Sequence, residues 1–451
     1  MSAHKEHEQR LLKTLDALML AAKRAGAEAA DALIYESRSL SVSFRLRKLE
    51  DLERSESGDC GLRVFIGKRQ AIVSSSDLSS RALSELAARG VDMARLAPED
   101  KYCGLADTAR LARDRPELDL FDPKEPASET LVSRALTVEE AALAVPGITN
   151  SQGASASWGQ ATFAFATSAG FRGAYSSSSQ SMSCAVIAGE GERMQVDYDG
   201  ITKLHGADLP PPEDIGRTAG TRAVKSLDPR KIKSQPVPIV FDERVSGSFL
   251  GHLAGAISGT SIARKTSFLM EKMGEEIFAP AITILDEPHR PRAMRSEPFD
   301  GEGVANEAIT VIDKGRLTTW LLDSASARQL GLETNGRASR GTGGPPHPSC
   351  TNLYMQPGKL SPAELMSDIK EGLLITRTFG PNLSLITGDY SVGVGGFWIA
   401  KGEVQYPVNE ITVAGNLKDM FRAMTPANDL QFKRGLNAPT LRIEGMTVAG
   451  I

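Results

Sequence analysis

Residues 244 to 260 read RVSGSFLGHLAGAISGT, a helix-like run in which Gly247, Gly251, Gly255 and Gly259 recur at every fourth position. Residues four apart lie along one helix face with a drift of roughly 40° per step, so this run predicts a helix with one bare face. Each interior glycine costs about 1 kcal/mol against alanine, and such a helix is expected only where another element packs closely on the exposed backbone. The neighbouring ridge, Ser248, His252, Ala256 and Thr260, is small apart from its histidine. His252 is therefore expected beside that contact, as a catalytic base, a remnant of a metal site or an incidental polar residue in a packing helix.

The surrounding chain has 451 residues, 41 % hydrophobic and 24 % charged, with a formal net charge of -4. That length implies at least two domains, and that balance gives no overall field to attract nucleic acid. The first 26 residues mix Lys13, Asp16 and Lys23 into their apolar stretch, which fits neither a signal peptide nor a membrane-spanning helix. A cytoplasmic protein with no membrane contact is expected. Cys60, Cys103, Cys184 and Cys350 are scattered with no metal-ligand spacing, so reduced structural thiols are expected rather than a disulfide framework.

The fold class read from the sequence is α+β in two parts. Residues 1 to 228 are expected as an N-terminal domain of layered helices and sheet. It has helices near 7 to 25, 78 to 97, 129 to 145 and 212 to 225, and strands in ADALIYESRS, LSVSFRLRKLED, CGLRVFIGKRQAIVSSS and the stretches from 154 to 200. SSSSQSMS (176 to 183) reads as an exposed strand, and DPRKIKSQPVP (228 to 238) as the boundary. Residues 229 to 451 are expected as a β-rich domain holding the glycine helix. Lys-Gly at the tips of IDKGRLTT and IAKGEVQY predicts two hairpins. NGRASRGTGGPPHPSCTN (335 to 352) predicts a long irregular loop, of the kind that is often functional.

The chain has no nucleophile elbow, phosphate loop or dinucleotide turn. Its six histidines, His4, His7, His205, His252, His289 and His347, include no pair at helical ligand spacing outside the N-terminus, where His4 and His7 read as solvated polar residues. Asp286 with Glu287 and Asp300 with Glu302 read as turn residues facing arginines more simply than as a cation site.

GHLAGAISG, PFDGEGV, TTWLLDSASARQLG, the glycine-rich loop, GDYSVGVGGFWIAKGEVQYPVNEITVAGNLKDM and NAPTLRIEGMTVAG together resemble the TldE (PmbA) branch of the TldD/TldE family, also called modulators of DNA gyrase. The resemblance covers nearly the whole chain. It implies a subunit of a cytosolic metalloprotease complex acting on peptides and unfolded segments. In the TldD branch a helix carries His-Glu-x-x-x-His, and a cysteine near the C-terminus completes the zinc ligands. Matched to that pattern, Gly251 stands at the first histidine, His252 at the glutamate, Ala256 at the second histidine and Leu436 at the cysteine.

What the resemblance implies is therefore a chain with no catalytic or metal-binding residue of its own and no cofactor, paired with a zinc-bearing TldD-type partner. The glycine-rich loop, with Arg340, Gly343, Gly344 and His347, is expected to face peptide or partner. Two other readings stand beside this one: a stand-alone homodimeric peptide-binding or scaffold protein, and an enzyme using non-metal chemistry around His252, His347 and Cys350.

Overall fold

The computed structural model describes residues 3 to 450, a mixed helix and sheet architecture. Helix α1 (Ala3–Ala25) leads into β1 (Ala29–Arg45), β2 (Lys48–Ile66), β3 (Arg69–Ser75) and α2 (Ser80–Leu96). Then come α3 (Ser128–Leu143), β4 (Ile148–Thr167), β5 (Arg172–Ala188), β6 (Gln195–Lys203) and α4 (Pro212–Lys225). The six strands form one antiparallel sheet in the order β3-β2-β1-β4-β5-β6. Its longest strand has 20 residues, which at about 3.3 Å each spans roughly 65 Å.

Strand alternation divides the labour between the faces. Ile34, Leu62 and Ala164 pack under α1 and α2 at one end, while Phe44, Trp158 and Met182 pack under α3 and α4 at the other. On the opposite face Leu33, Phe165 and Phe171 meet Phe299 of the C-terminal half. Further along that face the side chains are small and polar, and Ser157–Ser181 and Ser155–Ser183 pair their hydroxyls across β4 and β5 at 2.7 and 3.0 Å.

Two expectations need correction here. The sequence reading broke the first strand between residues 39 and 40, whereas β1 runs on to Arg45. The turn falls at Leu46 and Arg47, with φ of 50° and 60°. Neither is a usual turn residue. The turn is held from outside, because the buried Glu139 of α3 accepts both backbone N–H groups at 2.8 and 2.6 Å. The N-terminus is also more engaged than expected, since His7 lies 3.1 Å from Glu36 and His4 stacks near Phe121 at 4.6 Å.

The C-terminal half begins with β7 (Gln235–Phe241), α5 (Glu243–Ala256), α6 (Gly259–Ala263), β8 (Ile284–Asp286), β9 (Ile309–Asp313) and β10 (Arg316–Leu317). After α7 (Ser324–Leu330) come β11 (Ala338–Ser339), β12 (His347–Pro348), β13 (Leu353–Met355) and α8 (Pro362–Met366). The chain closes with β14 (Glu371–Leu383), β15 (Asp389–Ala400), β16 (Glu403–Asn416), α9 (Leu417–Arg422), β17 (Met424–Pro426), β18 (Leu436–Asn437) and β19 (Leu441–Ala449).

Strands β16, β15, β14, β7 and β19 form a ring that closes where residues 412–414 pair with 447–449, Thr412 opposite Ala449 and Ala414 opposite Thr447. This closed barrel was not foreseen. Its interior, including Ile239, Phe241, Val392, Val413 and Ile443, joins the buried face of α5 in one core. A second sheet, β10-β9-β8-β13-β18, ends on β18 beside α5. Both Lys-Gly hairpins are present, with positive φ at Lys314 and Gly315 and at Lys401 and Gly402. The loop from 335 to 352 is less irregular than expected, because β11 and β12 pair as a short ribbon. Among the described residues no helix is long and apolar enough to cross a membrane.

Candidate functional site

Helix α5 starts where the Asp242 carboxylate accepts the Arg244 N–H at 3.0 Å. Ser246, Phe249, Leu250, Leu253 and Ala256 are its buried stripe. The glycine side faces β18 and an open groove, and only part of the expected close approach is there. A Cβ at Gly247 would lie 3.0 Å from the Leu436 carbonyl oxygen, a backbone contact. At Gly251 it would meet the Leu436 side chain at an ordinary 3.6 Å, and at Gly255 the Leu385 side chain at 3.3 Å.

Gly259 is not on this helix. Ser258 bridges to Leu321 and the Gly259 N–H donates to the Leu321 carbonyl at 2.8 Å, so a strand-like contact ends α5 before the fourth glycine. Gly259 opens α6 instead, where a Cβ would overlap the Ser326 Oγ at 2.6 Å. The single four-glycine ridge predicted from spacing is thus three glycines on one helix and a fourth serving another contact.

His252 is half-buried on α5, edge-on to the rings of Phe249 and Tyr390 at 6.2 and 6.0 Å. Burial lowers its pKa, which favours the neutral ring. Among the described residues it makes no hydrogen bond. Gly251 and Leu436 lie across from one another, and Ala256 is fully buried. Gly251 and Leu436 thus meet while Ala256 belongs to the buried stripe, and none of the three brings a second donor. Among the described residues no group of three or more His, Cys, Asp and Glu side chains is gathered to hold a metal. The donor set does not fit zinc, which takes three or four N, S or O ligands from protein.

The groove beside the glycine face has a volume of about 880 Å³ and lies between the two halves of the chain. One wall is Gln195, Val196 and Tyr198 at the edge strand β6; the other is Gly247, Ser248, Thr376 to Phe379 and Leu436. Arg244, Arg295, Arg377 and Arg434 also line it, residues that no spacing in the sequence had singled out. Guanidinium groups cap the open edge of β6. Arg377 Nη1 donates to the Val196 carbonyl at 2.6 Å, and Arg244 Nη2 to the Tyr198 carbonyl at 3.1 Å.

A smaller cavity of about 440 Å³ lies behind it, and Arg295 borders both. Its walls include Tyr35, Ser37, Ser177, Glu297 and Cys350. Burial drives the Glu297 carboxyl well above the carboxylate range and the Cys350 thiol up to about 11. Cys350 Sγ lies 3.7 Å from Arg295 Nη1, while His252 has the Phe249 and Tyr390 rings around it and His347 is exposed on β12. A protonated, buried thiol is a poor nucleophile, and no contact joins these three residues among those described.

The loop residues separate. Gly343, Gly344 and His347 sit at an open tip, with space around both glycines. Arg340 contradicts the expectation of a peptide- or partner-facing side chain: its guanidinium is fully buried and ion-paired to Asp31 of β1. The reason is a close landing on the N-terminal sheet, where a Cβ at Gly61 would come 2.3 Å from the Thr342 carbonyl oxygen. Asp286 is paired with Arg337 at 2.5 Å. Asp300 accepts the N–H groups of Glu302, Val304 and Ala338, and Glu302 lies 3.7 Å from Arg63, so these acids tie loops together.

Three family models match, described as PmbA/TldA metallopeptidase domain 1, central domain and C-terminal domain, over residues 30–94, 121–227 and 234–450. The chain is 36 % identical to metalloprotease PmbA of Escherichia coli O157:H7 over 447 residues, covering 99 % of this chain and 97 % of that one. It is 33 % identical to a metalloprotease PmbA homolog of Haemophilus influenzae over 451 residues, with the same two coverages. Among solved structures, a protein of Bacteroides thetaiotaomicron named as a candidate modulator of DNA gyrase superposes with a TM-score of 0.90 at 29 % identity, over 97 % of this chain and 98 % of that one. TldE of Thermococcus kodakarensis shares the fold with a TM-score of 0.87 at 20 % identity, over 97 % and 100 % of the two chains. On these grounds the chain belongs to the PmbA/TldD metallopeptidase family, on its PmbA/TldE branch.

Proposed function

We propose that this chain is the non-metal-binding subunit of a cytosolic two-subunit peptidase, in which a TldD-type partner carries the zinc. Its own task is to hold an extended peptide or unfolded segment in the groove beside α5 and to complete the enclosure around the partner's site. The observation that carries this reading is that Gly251, Ala256 and Leu436, the positions matched to the zinc ligands, offer no donor atom and leave His252 as a single neutral imidazole. Zinc in the partner would supply an activated water near neutral pH, a step to which no atom of this chain contributes.

The wall of the groove supports the binding half of the proposal. An edge strand such as β6 presents a row of backbone groups to which an extended chain can add without demanding particular side chains. Arg244 and Arg377 occupy two of its carbonyls, so an added chain would pair with the backbone groups of the edge that they leave open. The loop tip at Gly343, Gly344 and His347 is the proposed contact to peptide or partner.

Reconstitution tests this directly. Turnover of an unstructured peptide is measured for this chain, for a TldD-type partner and for the two mixed. Activity only in the mixture, co-eluting as one complex, supports the proposal. Chelator-sensitive turnover by this chain alone overturns it, while failure to associate favours the homodimeric scaffold reading.

A further inference from the structure

We infer that the groove beside α5 is a carboxylate-selective site, taking acidic extended peptides in preference to neutral or basic ones. The inference deepens the peptide-holding role proposed above and rests on it. Four arginines line the groove, and their compensation is incomplete. Arg244 is paired with the buried Asp197 at 2.8 Å. Arg295, Arg377 and Arg434, which also line the groove, have no carboxylate within ion-pair distance among the described residues. Of the two acids on the rim, Glu410 is paired with Lys231, and the exposed Glu192 offsets only part of the charge of the three arginines left without a carboxylate.

These guanidinium groups are positioned rather than loosely displayed. Arg377 lies flat against Gly395, whose absent side chain leaves room: a Cβ there would be 3.2 Å from Nη2. Its Nη1 is committed to Val196, but its Nε is buried with no acceptor, a donor held ready without a partner. Arg295 crosses over Gly435, where a Cβ would stand 2.1 Å from its Cδ, and its Nη2 reaches Ser349 at 3.0 Å. Arg434 is tethered by Nη1 to the Arg244 carbonyl at 2.6 Å, beside the start of α5. Each retains donors beyond these tethers, and a guanidinium matches a carboxylate with two parallel hydrogen bonds. In a groove partly shielded from water, such pairs discriminate strongly against a ligand lacking the charge.

The test uses the full-length chain and three fluorescent peptides of one length and backbone pattern, bearing glutamate, glutamine or lysine at alternate positions, with binding read by anisotropy. The glutamate peptide is expected to bind roughly tenfold or more tighter than its glutamine isostere, and the lysine peptide weakest. The preference should fall away in Arg377→Gln combined with Arg434→Gln, and in the single Arg434→Gln, whose site is exposed and whose melting point should match the parent. Equal binding of the glutamate and glutamine peptides overturns the inference and leaves the peptide-holding role intact. Persistence of the preference in both variants also overturns it, by placing the anion site elsewhere. Binding of none of the three removes both the inference and the role it rests on.

Discussion

Asp31 and Arg340 tie the two halves of the chain together, and substituting each should have very different consequences. Asp31 on β1 stands directly across from Arg63 on β2, which donates to it through Nε at 3.0 Å and Nη2 at 2.5 Å. Arg340 reaches the same carboxylate from the C-terminal loop, and all three side chains are almost completely buried. Burial pushes the Asp31 carboxyl upward, but Arg340 and Arg63 outweigh it and hold it below its ordinary range. Asp31→Ala would leave two buried guanidinium groups, with only Glu302 at 3.7 Å from one of them. Breaking a buried pair in this way costs about 3–5 kcal/mol. For a unit of this size that lowers the melting point on the order of 10 °C.

Arg340→Met should be much milder. Asp31 keeps Arg63, and the substitution also removes two buried donors, Nε and Nη2, that have no acceptor. Each such orphan costs about 1–3 kcal/mol, which offsets most of the lost ion pair. Methionine also keeps the volume and can rest its sulfur against Phe165, over which the guanidinium now sits at 5.5 Å. Thermal melting followed by circular dichroism compares the two variants with the parent. A fall for Arg340→Met as large as that for Asp31→Ala would refute the reasoning, because it would mean that the orphaned donors carry no penalty.

Gly255→Ala should be neutral or slightly stabilising, since Leu385 need yield only a few tenths of an ångström and alanine is the better helix former by about 1 kcal/mol. Gly259→Ala should instead cost roughly 1–3 kcal/mol, because its Cβ would overlap Ser326 and Leu322, and equal melting points for the two would contradict this. The His252 pKa is lower in the folded chain than the ordinary histidine value, so the unfolded chain binds more protons between those two values. Stability is therefore lost as pH falls below the ordinary histidine range, and His252→Asn should flatten that part of a plot of melting point against pH. An unchanged slope would place His252 in a better solvated setting than the one described.

Local signals in the sequence reported elements well where they were self-sufficient. The span of α4, Pro212–Lys225, matches the expected 212 to 225, and the two Lys-Gly hairpins fold as their turn residues require. The serine run at 176 to 183 is a strand as expected, inside β5, but not an exposed one, since Ser176, Ser178, Gln180 and Met182 are buried on its packed face. What escaped depended on distant partners. The Leu46-Arg47 turn needs the carboxylate of Glu139, far along the chain, and barrel closure needs β19 to reach β16. The end of α5 is set by Leu321, which no helical period announces.

The site was legible in the same uneven way. Matching a helix pattern singled out Gly251, His252, Ala256 and Leu436, of which the fold sets Gly251 beside Leu436 and turns Ala256 into the buried stripe of α5. The arginines of the groove come from four separate segments, so no motif contains them. Arg340 looked exposed because its neighbours are glycine, threonine and proline, yet the loop they form sets its side chain down on β1.

Zinc content is the most direct test of the central claim that this chain lacks a metal site and depends on a partner for chemistry. The chain, a TldD-type partner and their complex are each exchanged into metal-free buffer after incubation with zinc, and the metal is measured by elemental analysis. Far less than stoichiometric zinc is expected on this chain, with the full complement of the complex on the partner. One zinc retained per molecule of this chain alone would contradict it, since no three donors converge among Gly251, His252, Ala256 and Leu436.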